Sequence, residues 1–177
     1  MRFGHRPYAE AKADDLTDVG PYRRSGRAVR LLPPARDAFR KMADAAAGEG
    51  IKLVPISGFR EAAYQEMLFK KAVEKHGSGT AAARWVAPPG HSEHHTGLAL
   101  DIGDGAVPGA DVEPEFEDTP AFRWLREHAG RFGFELSFPK DNPCLVAYEP
   151  WHWRFTGSPS CREVFHVARQ QEVQTIP

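Results

Sequence analysis

Cysteine is scarce in this chain, which has only Cys144 and Cys161. They form no CxxC pair, so a four-cysteine zinc knuckle is excluded. Two free thiols, or one disulfide in an oxidising compartment, both stay open. No apolar run approaches the roughly 18–20 residues needed to cross a bilayer, so no membrane span is expected. The N-terminal MRFGHRPYAEAKADDL lacks the uninterrupted apolar stretch of a secretion signal. The expectation is a cytoplasmic chain, or a piece of an exported one whose export segment was removed. Excess charge is missing too: 23 basic and 24 acidic side chains leave a formal charge of −1. Neither a nucleic-acid surface nor a strong draw to anionic lipid follows from that balance. Internal repeats and low-complexity linkers are also absent.

What is present is the composition of a globular domain: 27% charged, 41% hydrophobic and 11% aromatic residues in 177. A chain of this length can bury roughly two-thirds of its unfolded surface around one core. Residues 1–30 are polar and irregular and read as an N-terminal arm or wrapping segment, with one domain over 31–177. LLPPARDAFRKMADAAAGEG reads as a helix, with Pro34 in its first turn and Phe39, Met42, Ala43 and Ala46 on one face. IKLVPIS follows as a strand. A helix from near Glu61 would bury Tyr64, Met67, Leu68 and Ala72. TGLALDI reads as a strand and 104–119 as an acidic loop. Thr119 and Pro120 open a helix whose apolar face is Phe122, Leu125, Ala129 and Phe132. FELSF and WHWRF read as strands, and Ser160 with Glu163 as a capping box opening a last helix. Helices and strands mix without a βαβ rhythm. The expected class is α+β, a single domain with a small, mostly antiparallel sheet flanked by helices.

Histidine and acid concentrate in two places. His91, His94, His95 and Asp101 lie within residues 91–101, and Glu149 and His152 come later in YEPWHWRF. Asp101 stands between Leu100 and Ile102, where a carboxylate is expensive to bury without a partner. A metal ion is one such partner and an arginine another. A hydrolytic zinc site asks for three ligands from His, Asp or Glu and an open position. By strand alternation Trp151 and Trp153 point away from His152. The odd spacing of His94 and Asp101 requires a turn or bulge at Gly97 if both are to reach one ion.

SGFR at 57–60, SEHHTGLALD at 92–101 and EPWHWRF at 149–155 resemble the three motifs of the zinc D-Ala-D-Ala carboxypeptidases. That family includes the vancomycin-resistance D,D-peptidases and the L,D-carboxypeptidases of peptidoglycan. Ser92, His94, Gly97, Ala99 and Asp101 match every fixed position of its middle motif, and Glu149 and His152 match its last. The similarity runs from about Leu31 to Gly157. The resemblance implies a hedgehog/D,D-peptidase-like fold with one zinc ion at the sheet face, held by His94, Asp101 and His152. It implies Glu149 as general base for a zinc-activated water, and Arg60 as a substrate or transition-state contact. His91 and His95 are then not ligands. Ser92 and Gln65 match positions near substrate, and Tyr148 is a further candidate for the pocket.

The activity implied is removal of C-terminal D-alanine from a peptidoglycan stem peptide or D-Ala-terminated precursor, by a monomer working in the bacterial envelope if it is exported. A peptidoglycan endopeptidase or a D,D-dipeptidase would use the same residues, with loop 104–119 as the wall that decides between end and interior cleavage. A zinc-stabilised module that binds cell-wall peptide without cutting it is the non-enzymatic alternative. Glu149 speaks against it, because a structural site needs no base.

Overall fold

A computed structural model describes residues 2–22, 26–144 and 146–170. The chain runs through a hairpin, β1 (Thr17–Pro21) and β2 (Ala28–Leu31), into α1 (Pro33–Gly48) and β3 (Leu53–Ser57). α2 (Ala62–His76) and the short α3 (Gly79–Ala82) precede β4 (Ala99–Asp104). α4 (Pro120–His128), β5 (Phe134–Leu136), β6 (His152–Phe155) and α5 (Pro159–Gln170) complete it. β3, β4, β6 and β5 lie in that order in one sheet in which every pairing is antiparallel. The expected α+β class is the observed one.

Strand alternation gives this sheet two unlike faces. Leu100, Ile102, Trp151 and Trp153 join α1 and α4 in the main core, where Phe39, Met42, Phe122 and Leu125 meet them. Each large apolar side chain so buried contributes about 1.5–3 kcal/mol. That gain holds in place strands whose alternate residues, Asp101, His152 and Arg154, are polar. α4 starts as its sequence requires: the Thr119 hydroxyl accepts from the Phe122 amide at 3.2 Å, with Pro120 in the first turn.

Four local readings are corrected. Thr17–Pro21 and Ala28–Leu31 pair as antiparallel strands instead of irregular chain, with Val29 and Leu31 buried in the main core. Two inward residues are too few to register as a period. α2 buries Gln65, Phe69 and Ala72, while Met67 is 53% exposed. Its partners are Phe3 of the N-terminal arm, stacked on Phe69 at 6.2 Å, and Ala82 and Ala83, and no periodicity within the helix reveals them. Loop 104–119 winds into two 3-10 turns, Pro108–Ala110 and Pro114–Asp118. At α5, Ser158 supplies the capping oxygen, accepting from the Cys161 amide at 3.2 Å, because Ser160 already lies inside the helix. Both cysteines are free. No helix among the described residues is long and apolar enough to cross a membrane.

Candidate metal centre and its cavity

The site is assembled by strand register. Asp101 pairs with Ser57 on β3 and with His152 on β6, so three strands deliver their side chains to one spot. Directly opposed residues of antiparallel strands hold their Cβ atoms about 4.5–5.5 Å apart. His94 arrives from outside the sheet, on a 3-10 turn (Glu93–Thr96) that ends at Gly97 with φ +66°. A Cβ on Gly97 would also press on Leu16 and Leu32 at 3.0–3.1 Å. Thus Gly97 makes the turn that brings His94 round to Asp101, as the odd spacing required. Gly58 is equally constrained, since a Cβ there would clash with the Arg30 carbonyl. Its own carbonyl accepts from His94 Nδ1–H at 2.7 Å.

That bond leaves His94 Nε2 facing Asp101 Oδ1 at 3.3 Å. His152 uses the other nitrogen. Its Nε2–H donates to Glu93 at 2.9 Å, and Nδ1 faces the same Asp101 Oδ1 at 3.0 Å. One ligand atom from each of His94, Asp101 and His152 fits within 4.8 Å of the others, and all three residues are buried. Two imidazole nitrogens turned toward one carboxylate oxygen, with their distal nitrogens already engaged, form a donor set suited to a divalent cation such as zinc. Arg60 grips the remaining oxygen, donating from Nη2 to Asp101 Oδ2 at 2.6 Å and from Nε to Ser57 Oγ at 2.8 Å.

Electrostatics divides these groups. Burial alone would raise the Asp101 carboxyl, but His94, Arg60 and the hydrogen bond from His152 hold it well below the ordinary range. Burial and the Arg60 charge push the His94 imidazole down to about 4, against Asp101. Burial works the same way on His152, yet the Asp101 and Glu93 carboxylates outweigh it and raise that ring to about 10. A buried site this rich in carboxylate calls for positive charge between its members, whether proton or metal.

Glu149 precedes His152 by one turn, the His152 amide donating to the Glu149 carbonyl at 3.1 Å. Its carboxylate stands 3.9 Å from His152 Nδ1, near the cluster without joining it. Burial lifts its pKa to about 7; His152 and Arg60 oppose the rise, and Asp101 and Glu93 add to it. That is a carboxyl tuned for proton exchange near neutrality.

His94, Asp101, His152, Glu149, Arg60, Ser92 and Gln65 all border one cavity of about 980 Å³. The Ser92 hydroxyl accepts from the His94 amide at 3.3 Å. Gln65 donates to the Ala87 carbonyl at 2.8 Å, while its Oε1 is buried with no hydrogen-bond partner among the described residues. Tyr148 is not brought into this group: it borders a separate recess, where Lys140 Nζ stands 5.0 Å from its ring centroid. His95 is spent on structure, with Nδ1 at 2.6 Å from the Arg60 carbonyl and Nε2 accepting from the Gly90 amide. His91 borders the cavity and bonds the Pro89 carbonyl.

The cavity walls differ from expectation. Loop 104–119 supplies only Val112 among the described lining residues. The walls are instead the N-terminal arm, with His5, Arg6 and Tyr8, and residues 136–139, 142–144 and 146. The arm is pinned there by His5 Nε2–H to the Ala83 carbonyl at 2.6 Å and by the Tyr8 and Ala11 amides to Gly90 and His95. Glu93 and Arg154 were also missed. One signal existed: Arg154 follows His152 by two on a strand, so a half-buried arginine shares the histidine's face and calls for an acid.

A buried two-histidine, one-aspartate cluster in an open cavity, with an acid beside it, is an arrangement suited to metal-assisted hydrolysis. Residues 28–158 match a family model described as VanY, D-alanyl-D-alanine carboxypeptidase. The chain belongs to that family. It is 33% identical over 148 residues to a D-alanyl-D-alanine carboxypeptidase of Enterococcus faecalis (strain ATCC 700802 / V583), covering 78% of this chain and 51% of that one. The chain thus spans about half that relative's length. Among solved structures it resembles the LdcB LD-carboxypeptidase, with TM-score 0.75 and 30% identity over 91% of this chain and 75% of that one. It also resembles a mutant of the vancomycin-resistance D,D-pentapeptidase VanY in complex with Zn(II), with TM-score 0.67 and 28% identity over 90% and 88%.

Proposed function

We propose that this protein is a zinc carboxypeptidase that removes C-terminal D-alanine from peptidoglycan stem peptides or their precursors. One observation carries the reading: His94 Nε2, Asp101 Oδ1 and His152 Nδ1 converge in the same cavity that holds Glu149. These three residues would hold a single zinc ion. When bound, zinc supplies Lewis acidity, polarising a carbonyl and making water a better nucleophile at neutral pH.

The chain's own residues divide the remaining work. Glu149 takes the proton of the attacking water and returns it to the leaving amine. Its near-neutral pKa suits both halves of that exchange. Arg60 holds Asp101 in its orientation and brings a guanidinium to the cavity edge, where it attracts the substrate's terminal carboxylate or the developing oxyanion. Gln65 Oε1 is an acceptor available to a peptide N–H. No substrate contact is assigned to Tyr148, which faces elsewhere. The catalytic domain is residues 31–177, with the preceding arm forming part of its cavity wall. A stem-peptide substrate would place the work in the bacterial envelope.

The test is a product assay. Zinc-loaded protein is incubated with defined pentapeptide, tetrapeptide and cross-linked muropeptides, and the products are weighed by mass spectrometry. Loss of one terminal alanine is expected. A metal-loaded protein that releases none has some other function, and cleavage inside a cross-link would make it an endopeptidase.

A further inference from the structure

Glu93 is a buried acid with no task in the chemistry above. It neighbours His94 in the chain, yet its side chain reaches His152, and it accepts four hydrogen bonds. Oε2 takes His152 Nε2–H at 2.9 Å and the Ser137 hydroxyl at 2.6 Å. Oε1 takes Arg154 Nη1 at 2.8 Å and the Tyr8 hydroxyl at 3.4 Å. These fill the roughly four acceptor positions of a carboxylate. Arg154 is itself anchored by Glu135 at 2.6 Å, so the acid has a fixed support.

The ring it holds would otherwise have a choice. Around His152 the packing partners are the His94 ring, edge-on at 4.8 Å, and the Phe138 ring at 5.0 Å. Aromatic contacts of this kind accept an imidazole in either of its two flipped orientations. Only one orientation turns Nδ1 toward Asp101. In the metal-free site the bonds to Glu93 at 2.9 Å and to Asp101 at 3.0 Å both select it. Once Nδ1 gives up its proton to hold a cation, the bond to Glu93 is the one that remains. A carboxylate on the distal N–H also makes the opposite nitrogen a stronger donor.

We propose that Glu93 is a positioning residue: it fixes the tautomer and ring orientation of His152 so that Nδ1 faces the metal. The inference rests on the zinc reading above, and its test separates the two. Zinc affinity is measured at fixed pH by competition with a chelator, for the full chain and for Glu93→Gln, Ser137→Ala and Glu149→Gln. The unsubstituted protein should bind zinc, and Glu149→Gln should bind it equally well. Glu93→Gln should bind about 10–100-fold more weakly, the usual cost of losing such an outer partner. Ser137→Ala should lose less, in the same direction.

Nitrogen-15 spectra of the zinc-loaded protein give a second reading. His152 Nε2–H should be slow to exchange with solvent, and Glu93→Gln should remove that protection. If the unsubstituted protein binds no zinc, the metal reading falls and takes this proposal with it. If it binds zinc and Glu93→Gln matches it in affinity and exchange, only the role of Glu93 falls. Should Glu93→Gln not fold, Ser137→Ala decides, and unchanged affinity there overturns the proposal.

Discussion

His94 and His152 are equally buried, face the same carboxylate oxygen, and are driven in opposite directions. Burial and the Arg60 charge press His94 down to about 4, and a neutral carbonyl at Gly58 does little to resist. His152 sits between Asp101 and Glu93 and rises to about 10 despite the same burial. Depth is therefore not what sets the proton affinity of a histidine here; the charge on its second partner is. The half of the site around His94 is held by backbone, and the half around His152 by ionised side chains.

Removing each ring from metal-free protein should expose that asymmetry most strongly. His152→Ala strips a partner from two buried carboxylates and should cost about 3–5 kcal/mol. His94→Ala leaves the Gly58 carbonyl unpaired and takes one neighbour from Asp101, which keeps its bonds to Arg60 and His152, and should cost less, about 1–3 kcal/mol. Urea denaturation at neutral pH measures both, and equal losses would break the comparison.

Glu149→Gln sharpens it from another side, because Glu149 lies 3.9 Å from His152 without orienting it, whereas Glu93 stands at 2.9 Å. We expect turnover to fall about 10²–10⁴-fold while zinc affinity stays unchanged, checked by alanine release and chelator competition. A loss of zinc equal to the loss of turnover would place Glu149 among the ligands. Arg60→Gln should next narrow the gap between the rings. Removing the cation that depresses His94 raises its pKa, which NMR titration of metal-free protein reads directly.

The smallest effect is in the pH profile. In the proposed mechanism Glu149 acts as the base when ionised, so activity should rise with pH through its pKa, about 7 in the metal-free site. A neighbouring cation favours the ionised form. The acid limb of kcat/KM for zinc-loaded enzyme should therefore lie below 7, and a limb above it would assign the proton to another group.

Local signals were legible where the chain itself carries the whole reason. Thr119 and Pro120 start α4, Gly97 turns His94 toward Asp101, and alternation sends Trp153 into the core away from His152, while Trp151 packs in the core and also borders the cavity. Where the partner is distant, the reading failed. α2 presents Phe69 because Phe3 and Ala82 await it, and Met67 stays outside because none of the described residues covers it. The cavity wall lies in the arm and in residues 136–139, 142–144 and 146, although loop 104–119 looked suited to the part.

By itself the sequence determines which residues are chemically equipped for this site: two histidines, an aspartate, a nearby glutamate and an arginine, in motifs whose order names a family. Tertiary structure alone decides which nitrogen of each ring faces inward, which acid stands behind His152, and what walls the cavity. The reason is that a residue's type and its local turn travel with the chain. Orientation and charge balance depend on neighbours that only strand pairing brings within reach.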